Sequence, residues 1–266
     1  MAVLRLCREH QVPLVPRGAG TGLSGGALPH AQGVLLVLAR MKQIVAVDPL
    51  ARSATVQPGV RNLAISEAVA QHGLYYAPDP SSQIACSIGG NVAENAGGVH
   101  CLKYGLTVNN ILRLRLITID GEVLEIGSHA PDSPGLDLLP LLIGSEGLLG
   151  IVSEITVKLL PKPQLAQVGR AAFAEVSAAG DAVASIIAAG IIPAGLELMD
   201  GPTTRAVEDF VHAGYPLDAG AILLAEADGT PEEVADEIAR ITGILHSCGA
   251  SEIRVSQSEA ERLKLW

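Results

Sequence analysis

The chain has 266 residues, 48% of them hydrophobic, and its 28 acidic side chains outnumber 18 basic ones to give a formal charge of −10. That is enough apolar material for two modest cores, and the acidic balance argues against a nucleic-acid or anionic-membrane surface, either of which needs a basic face. Four cysteines (Cys7, Cys86, Cys101, Cys248) show neither C-x-x-C spacing nor a zinc-holding pattern with His and read as reduced, mostly buried thiols.

No apolar run approaches the roughly 18 residues of a membrane span, and no secretory leader is evident, so the expected compartment is the cytoplasm. Residues 1–10 have the apolar spacing of a helix already under way (Val3, Leu4, Leu6, Cys7) with no N-cap residue before it, and the chain reads as beginning mid-domain. A strand over residues 12–15 leads into Val15-Pro16-Arg17-Gly18-Ala19-Gly20-Thr21-Gly22-Leu23-Ser24-Gly25-Gly26, which holds five glycines within nine residues. Gly lacks a Cβ and tolerates φ > 0, so successive N–H groups can converge on an anion such as a pyrophosphate.

Gly20-x-Gly22-x-x-Gly25 satisfies the nicotinamide-type Rossmann pattern, but that turn must open a helix. Here Ala27-Leu28-Pro29-His30 and a strand over residues 34–38 follow instead. No Gly-Lys-Ser/Thr follows either, which excludes a P-loop. Further strands are expected at 44–47 and 53–57, then a helix at 60–72 with Leu63, Ala64, Ala68 and Val69 on one face and Gly73 as its C-cap. A second glycine-rich segment, read as another loop, runs from Ala77-Pro78-Asp79-Pro80-Ser81-Ser82 through Ile88-Gly89-Gly90-Asn91-Val92-Ala93-Glu94-Asn95-Ala96-Gly97-Gly98, with Lys103-Tyr104-Gly105 just beyond. A hairpin follows over residues 111–126 with Asp120-Gly121 as a two-residue turn. The third element is Ile143-Gly144-Ser145-Glu146-Gly147-Leu148-Leu149-Gly150-Ile151, running into a strand that ends before Leu160-Pro161-Lys162-Pro163.

These three segments, in this order, resemble the FAD-binding domain of the vanillyl-alcohol oxidase superfamily. The resemblance is closest to the family of FAD-linked D subunits of glycolate oxidase and D-lactate and D-2-hydroxyacid dehydrogenases. It implies an α+β fold: a PCMH-type two-lobed FAD-binding domain over residues 1–160, its N-terminal lobe incomplete, followed by the first part of a ferredoxin-like substrate or cap domain over residues 161–266. It also implies truncation at both ends, and with it a chain that by itself binds flavin weakly at best and does not turn over 2-hydroxyacids. The implied activity is oxidation of a small 2-hydroxyacid such as glycolate or D-lactate by hydride transfer to FAD. Electrons would pass to an iron–sulfur subunit, or a quinone or cytochrome acceptor, rather than to NAD, and partner subunits would place the protein peripherally at the inner membrane. The alternative is a flavin-binding or assembly module without turnover.

The FAD-binding set implied is Arg17, Gly18, Ala19, Gly20, Thr21, Gly22, Ser24, Gly25 and Gly26 from the first segment, Pro80, Ser82, Ile88, Gly89, Asn91, Asn95 and Gly98 from the second, and Glu146, Gly147 and Ile151 from the third. Arg17 reads as a brace for the loop or a charge beside the pyrophosphate, and Thr21 and Ser24 as hydroxyl donors. Asn91 and Asn95 read either as amide partners of the flavin or as turn-formers beside Gly. Residues 78–82 form a rigid wall, and the resemblance alone puts Glu146 and Ile151 near the adenine. Some branches of the family attach flavin through a His in the first loop; none lies between Arg17 and Gly26, so non-covalent FAD is expected. Cys86 reads as a small buried hydrophobe. Among seven histidines His100 alone falls near the flavin segments, and without an evident partner it reads as a solvated loop residue. No catalytic or metal-binding residue is assigned, because the family's substrate Arg follows a Leu-Trp pair, here Leu265-Trp266.

Beyond Pro163 the pattern is strand 165–174, helix 177–189, strand 195–199, helix 202–211, strand 221–227, helix 231–248 capped by Thr230, and strand 252–255.

Overall fold

The protein, described as a computed structural model over residues 1–132 and 135–266, divides into two compact units. Residues 1–98 and 104–162 form the first, and residues 99–103 join 163–266 in the second.

In the first unit, α1 (Ala2–Glu9) buries Leu4 and Cys7 and starts at Met1 without a side-chain cap. β1 (Leu14–Arg17) and β2 (Val34–Val37) pair in parallel, Leu14 opposite Val34. Residues 18–33 between them contain no helix. The Rossmann alternative therefore falls, since its phosphate turn is made by a helix N-terminus.

β3 (Ile44–Asp48) and β4 (Ser53–Val56) precede α2 (Asn62–Val69), which a 3-10 turn extends to His72, where Gly73 at φ +67 stops it. The buried stripe of α2 is Asn62, Ile65 and Val69 rather than the expected Leu63, Ala64 and Ala68. A buried amide outranks an alanine here because Asn62 is needed for hydrogen bonds within the core. β5 (Leu74–Tyr75) follows.

The second glycine-rich segment is not a loop: Ile88–Glu94 is the helix α3, burying Ile88, Asn91 and Val92. A Cβ on Gly89 would stand 2.6 Å from the Pro58 side chain, so that glycine serves close packing of a helix rather than a turn. Beyond α4 (Cys101–Tyr104), whose first three residues belong to the second unit, β6 (Ile111–Ile117) and β7 (Val123–Gly127) make the hairpin. Its turn is also longer than expected. The Gly121 N–H donates to Thr118 O at 2.9 Å, the Thr118 N–H donates to Glu122 O, and Gly121 lies at φ +79, the three-residue arrangement with a glycine bulge.

α5 (Leu139–Leu142), β8 (Ile151–Lys158) and β9 (Leu160–Pro161) complete the unit, β9 pairing with β5. The main sheet runs β3-β4-β8-β6-β7, and every neighbour is antiparallel. Its inward side chains, among them Val56, Leu114, Ile155 and Val157, pack with Ile65, Ile88 and Val92 from the helices.

The second unit has an antiparallel sheet in the order β11-β12-β10-β13, with β10 at Leu165–Phe173, β11 at Gly195–Asp200, β12 at Ala221–Gly229 and β13 at Glu252–Val255. α6 (Val176–Ala188) links β10 to β11, α7 (Gly201–Val211) links β11 to β12, and α8 (Pro231–Ser247) links β12 to β13. This is the ferredoxin-like order with α7 added. The central strands β10 and β12 are buried on both faces, because α6 and α8 cover one and α9 (Glu259–Leu265) the other, where Leu265 packs with Val168, Ala172 and Leu224.

Candidate functional site

In the first unit the end of β1, helix α3 and the turn before β8 surround a cleft of about 190 Å³. The third segment is pinned to the last turn of α3 by backbone: the Gly144 N–H donates to Val92 O and the Glu146 N–H to Ala93 O, both at 2.8 Å. Two glycines in the first segment stand close against side chains, and Gly20 is favoured as glycine by its positive φ as well. A Cβ on Gly18 would stand 2.3 Å from Ser87 Oγ, and one on Gly20, at φ +75, would stand 2.5 Å from Arg17 Nη2. Arg17 thus lies against Gly20 while also lining the cleft.

The cleft brings together most of the expected set. Arg17, Gly18, Ala19, Gly20, Thr21, Gly22, Gly25, Gly26, Ser82, Gly89, Asn91, Glu146, Gly147 and Ile151 line it. Five expected residues lie outside its lining. The Ser24 hydroxyl donates to Glu94 Oε2 at 3.2 Å, and Ile88 is wholly buried in the core. Pro80 accepts the Gln83 N–H in a turn, and Gly98 backs onto Asp79, whose carbonyl oxygen is 2.3 Å from a would-be Cβ. Asn95 caps α3 in the left-handed region at φ 50 while its Oδ1 accepts from the Val108 N–H at 3.0 Å, which is the turn-former's role.

Asn91 lines the cleft, yet its amide is used within the fold. Asn62 Nδ2 donates to Asn91 Oδ1 at 3.0 Å, and Asn91 Nδ2 faces Cys86 Sγ at 3.4 Å. Cys86 is buried and lines the same wall. Ser87, which sequence reasoning passed over, is 4% exposed, lines the cleft, and its Oγ has no hydrogen-bond partner. A Ser marks a helix start only where a helical pattern follows it, and the Gly-Gly-Asn after Ile88 hid that pattern. Glu94 was also missed.

The donors of the cleft include glycine backbone, the Thr21, Ser82, Ser87 and Ser145 hydroxyls and the Arg17 guanidinium, beside the carboxylates of Glu94 and Glu146. Such a set suits a diphosphate: amides and a cation neutralise it, and an orphaned buried hydroxyl finds an acceptor. The residues present therefore fit a flavin dinucleotide.

His100 belongs to the second unit and is not a solvated loop residue. Its Nε2 lies 3.1 Å from Glu226 Oε1. Glu226, 2% exposed on β12, also accepts from Arg262 Nη1 at 2.9 Å and from the Trp266 indole N–H. Burial alone would raise its pKa, but the hydrogen bond from His100 and the charge of Arg262 hold the carboxyl below its ordinary range. Two residues along the strand, Asp228 pairs with Lys103 at 2.6 Å. The partners of both carboxylates came from distant sequence, so no local pattern announced them. Among the described residues no helix is long and apolar enough to cross a membrane.

Residues 1–127 match the family described as FAD binding domain, and residues 162–266 the one described as FAD linked oxidases, C-terminal domain. Glycolate oxidase subunit GlcD of Escherichia coli (strain K12) is 63% identical over 265 residues, covering 100% of this chain and 53% of the relative. The Bacillus subtilis (strain 168) protein of that name is 43% identical, covering 99% and 56%. D-lactate dehydrogenase of Anaerostipes hadrus is 33% identical, covering 100% and 57%. The chain thus spans about half the length of the curated relatives it matches. Among solved structures, an alkyldihydroxyacetonephosphate synthase superposes with a TM-score of 0.81 at 20% identity, covering 97% of this chain and 51% of the other. A p-cresol methylhydroxylase superposes at 0.78 and 18%, covering 98% and 57%. At those identities the likeness is one of fold.

Proposed function

Because the chain belongs to the FAD-linked oxidase family and takes FAD as its cofactor, we propose that it forms the flavin-holding part of a 2-hydroxyacid dehydrogenase acting on glycolate or D-lactate. The observation that carries this reading is the cleft of the first unit, where three separate segments present glycine backbone, hydroxyls and one guanidinium to a diphosphate-sized anion. When bound, FAD supplies the acceptor for the hydride that leaves the α-carbon of the acid. The chain's own residues would bind and orient it: Arg17 and the Gly18 to Gly22 backbone would carry the diphosphate charge, Ser87 would donate its unpaired hydroxyl, and Glu146 and Ile151 line the same cleft.

The cofactor is held non-covalently. No His stands in the first segment, and the cleft's thiol, Cys86, is buried against Asn91. Electrons would leave to a non-NAD acceptor, an iron–sulfur subunit or a quinone or cytochrome, as the likeness to the glycolate oxidase and D-lactate dehydrogenase relatives implies. The E. coli relative is itself named as a subunit, which supports assembly with partners.

The test is reconstitution with FAD followed by dye reduction with glycolate, D-lactate and their L or unhydroxylated counterparts. Flavin binding with reduction by a 2-hydroxyacid supports the reading. Failure to bind FAD, or reduction of NAD in its place, overturns it. Acid precipitation of the loaded protein should leave the yellow colour in the supernatant; colour in the pellet would reveal a covalent link.

A further inference from the structure

The glycine segment between β1 and β2 is held unevenly. Its start is clamped, with Gly18 against Ser87 and Gly20 over the Arg17 guanidinium. Residues 19–26 are exposed, and Leu23 stands wholly in solvent. A free chain this rich in glycine samples many conformations, and each must be given up when its backbone lines a ligand.

Within this exposed stretch the Ser24 hydroxyl donates to Oε2 of Glu94 at 3.2 Å, joining positions 70 residues apart. The other carboxylate oxygen lies 3.9 Å from where a Cβ would stand on Gly22 and on Gly26. Glu94 is the last residue of α3, the end at which the helix dipole disfavours an anion. Among the described residues, the pairs Arg8–Asp120, Arg61–Glu67, Arg113–Glu125, Arg113–Glu154 and Arg115–Glu125 of the first unit leave it out. Helix stability therefore gives no reason for a carboxylate here. The segment it holds does.

We propose that Glu94 is a positioning residue for the glycine segment: by accepting the Ser24 hydrogen bond it keeps residues 19–26 along the cleft wall before the cofactor arrives. The gain is preorganisation, since a segment already ordered loses less entropy on binding. Its affinity arm rests on the reading of the cleft as the FAD site. Its structural arm does not.

The experiment uses the 266-residue chain and the variants Glu94→Ala, Ser24→Ala, the double variant and Glu94→Gln, with melting temperatures confirming that each folds. Amide hydrogen exchange without flavin should quicken over residues 19–26 in both alanine variants and remain near the parent's in Glu94→Gln, whose side-chain carbonyl accepts the same hydrogen bond. FAD affinity, read by quenching of flavin fluorescence, should fall about three- to tenfold in each alanine variant. The double variant should be no weaker than either single, as expected when two residues share one interaction, and Glu94→Gln should stay within about twofold of the parent.

Unchanged exchange in Glu94→Ala overturns the proposal, as do losses that add in the double variant. Tighter FAD binding by Glu94→Ala also overturns it, by showing a carboxylate that repels the cofactor. A parent that binds no FAD sinks the functional reading instead, and the exchange measurement still decides the role of Glu94.

Discussion

Ser87 and Gly20 state the chemistry of the cleft in opposite ways. Ser87 carries a buried hydroxyl without a partner, a group that lowers the stability of the empty fold and gains an acceptor when an anion enters. Ser87→Ala should therefore leave the ligand-free melting temperature unchanged or raised, while weakening FAD about fivefold or more, roughly the worth of one hydrogen bond. A variant that melts lower and binds FAD normally would show a purely structural serine. Gly20→Asp sets a carboxylate against the Arg17 guanidinium that would carry the diphosphate, at a backbone φ of +75 that favours glycine. A like-charge contact of about 4 Å disfavours binding by on the order of 1 to 4 kcal/mol depending on local dielectric, so the purified variant should be colourless. Retained flavin absorbance would displace the diphosphate from this loop. In the second unit, Glu226 is held ionised by His100 and Arg262 against the effect of burial. A carboxyl lowered in the fold from an ordinary 4.5 stabilises above that pH and loses its contribution as pH falls through the lowered value. Glu226→Gln should be about 1 to 2 kcal/mol less stable near neutrality, because it removes the charge from the hydrogen bonds that His100, Arg262 and Trp266 make to it, yet should lack that step of acid destabilisation. Equal pH profiles for parent and variant would remove the network from the account.

Among the elements, α8 shows how far local sequence reaches. Thr230 accepts from the Glu233 N–H, the Glu233 carboxylate answers to the Thr230 N–H, and Pro231 opens the helix. That reciprocal cap was readable from Thr-Pro-Glu-Glu alone, and Thr230→Ala should cost about 1 kcal/mol in urea unfolding, with FAD binding untouched. α3 shows the opposite. Its Ile-Gly-Gly-Asn-Val-Ala-Glu composition reads as loop by propensity, since each interior glycine costs about 1 kcal/mol relative to Ala. Yet it is helical because Ile88 and Val92 reach the core and Gly89 lets the helix press against Pro58. Tertiary packing overrode local preference.

At the scale of the molecule, separate cores underlie the two units: Ile65, Ile88, Leu114 and Ile155 in the first, Phe173, Ile186, Leu223 and Leu245 in the second. A ligand that binds one folded unit raises the stability of that unit by mass action, about 2.7 kcal/mol at a hundredfold excess over Kd. Calorimetry with added FAD should accordingly raise the transition of residues 1–98 and 104–162 and leave that of residues 163–266 in place. A uniform shift of both would show that the units unfold as one.

What the sequence determined by itself was the set of segments and their chemistry. The five glycines of residues 18–26 and the lack of a helix pattern before Val34 read as backbone for a pyrophosphate, and the order of three small-residue segments carried the resemblance to FAD-binding domains, because glycine spacing and strand periodicity are local properties that the chain carries wherever it folds. The second half was equally legible: its alternating strands and capped helices fell within a few residues of β10 to β13 and α6 to α8. Only the tertiary structure decided which members of those segments face the cleft. It turned Ser24 to Glu94, committed Asn91 to Asn62, buried Ile88 and put Ser87 in the wall. It also gave His100 its partner, since Glu226 lies 126 positions away. Those assignments depend on pairings between distant positions, and a hydrogen bond that closes a long loop leaves no period in the sequence from which to read it.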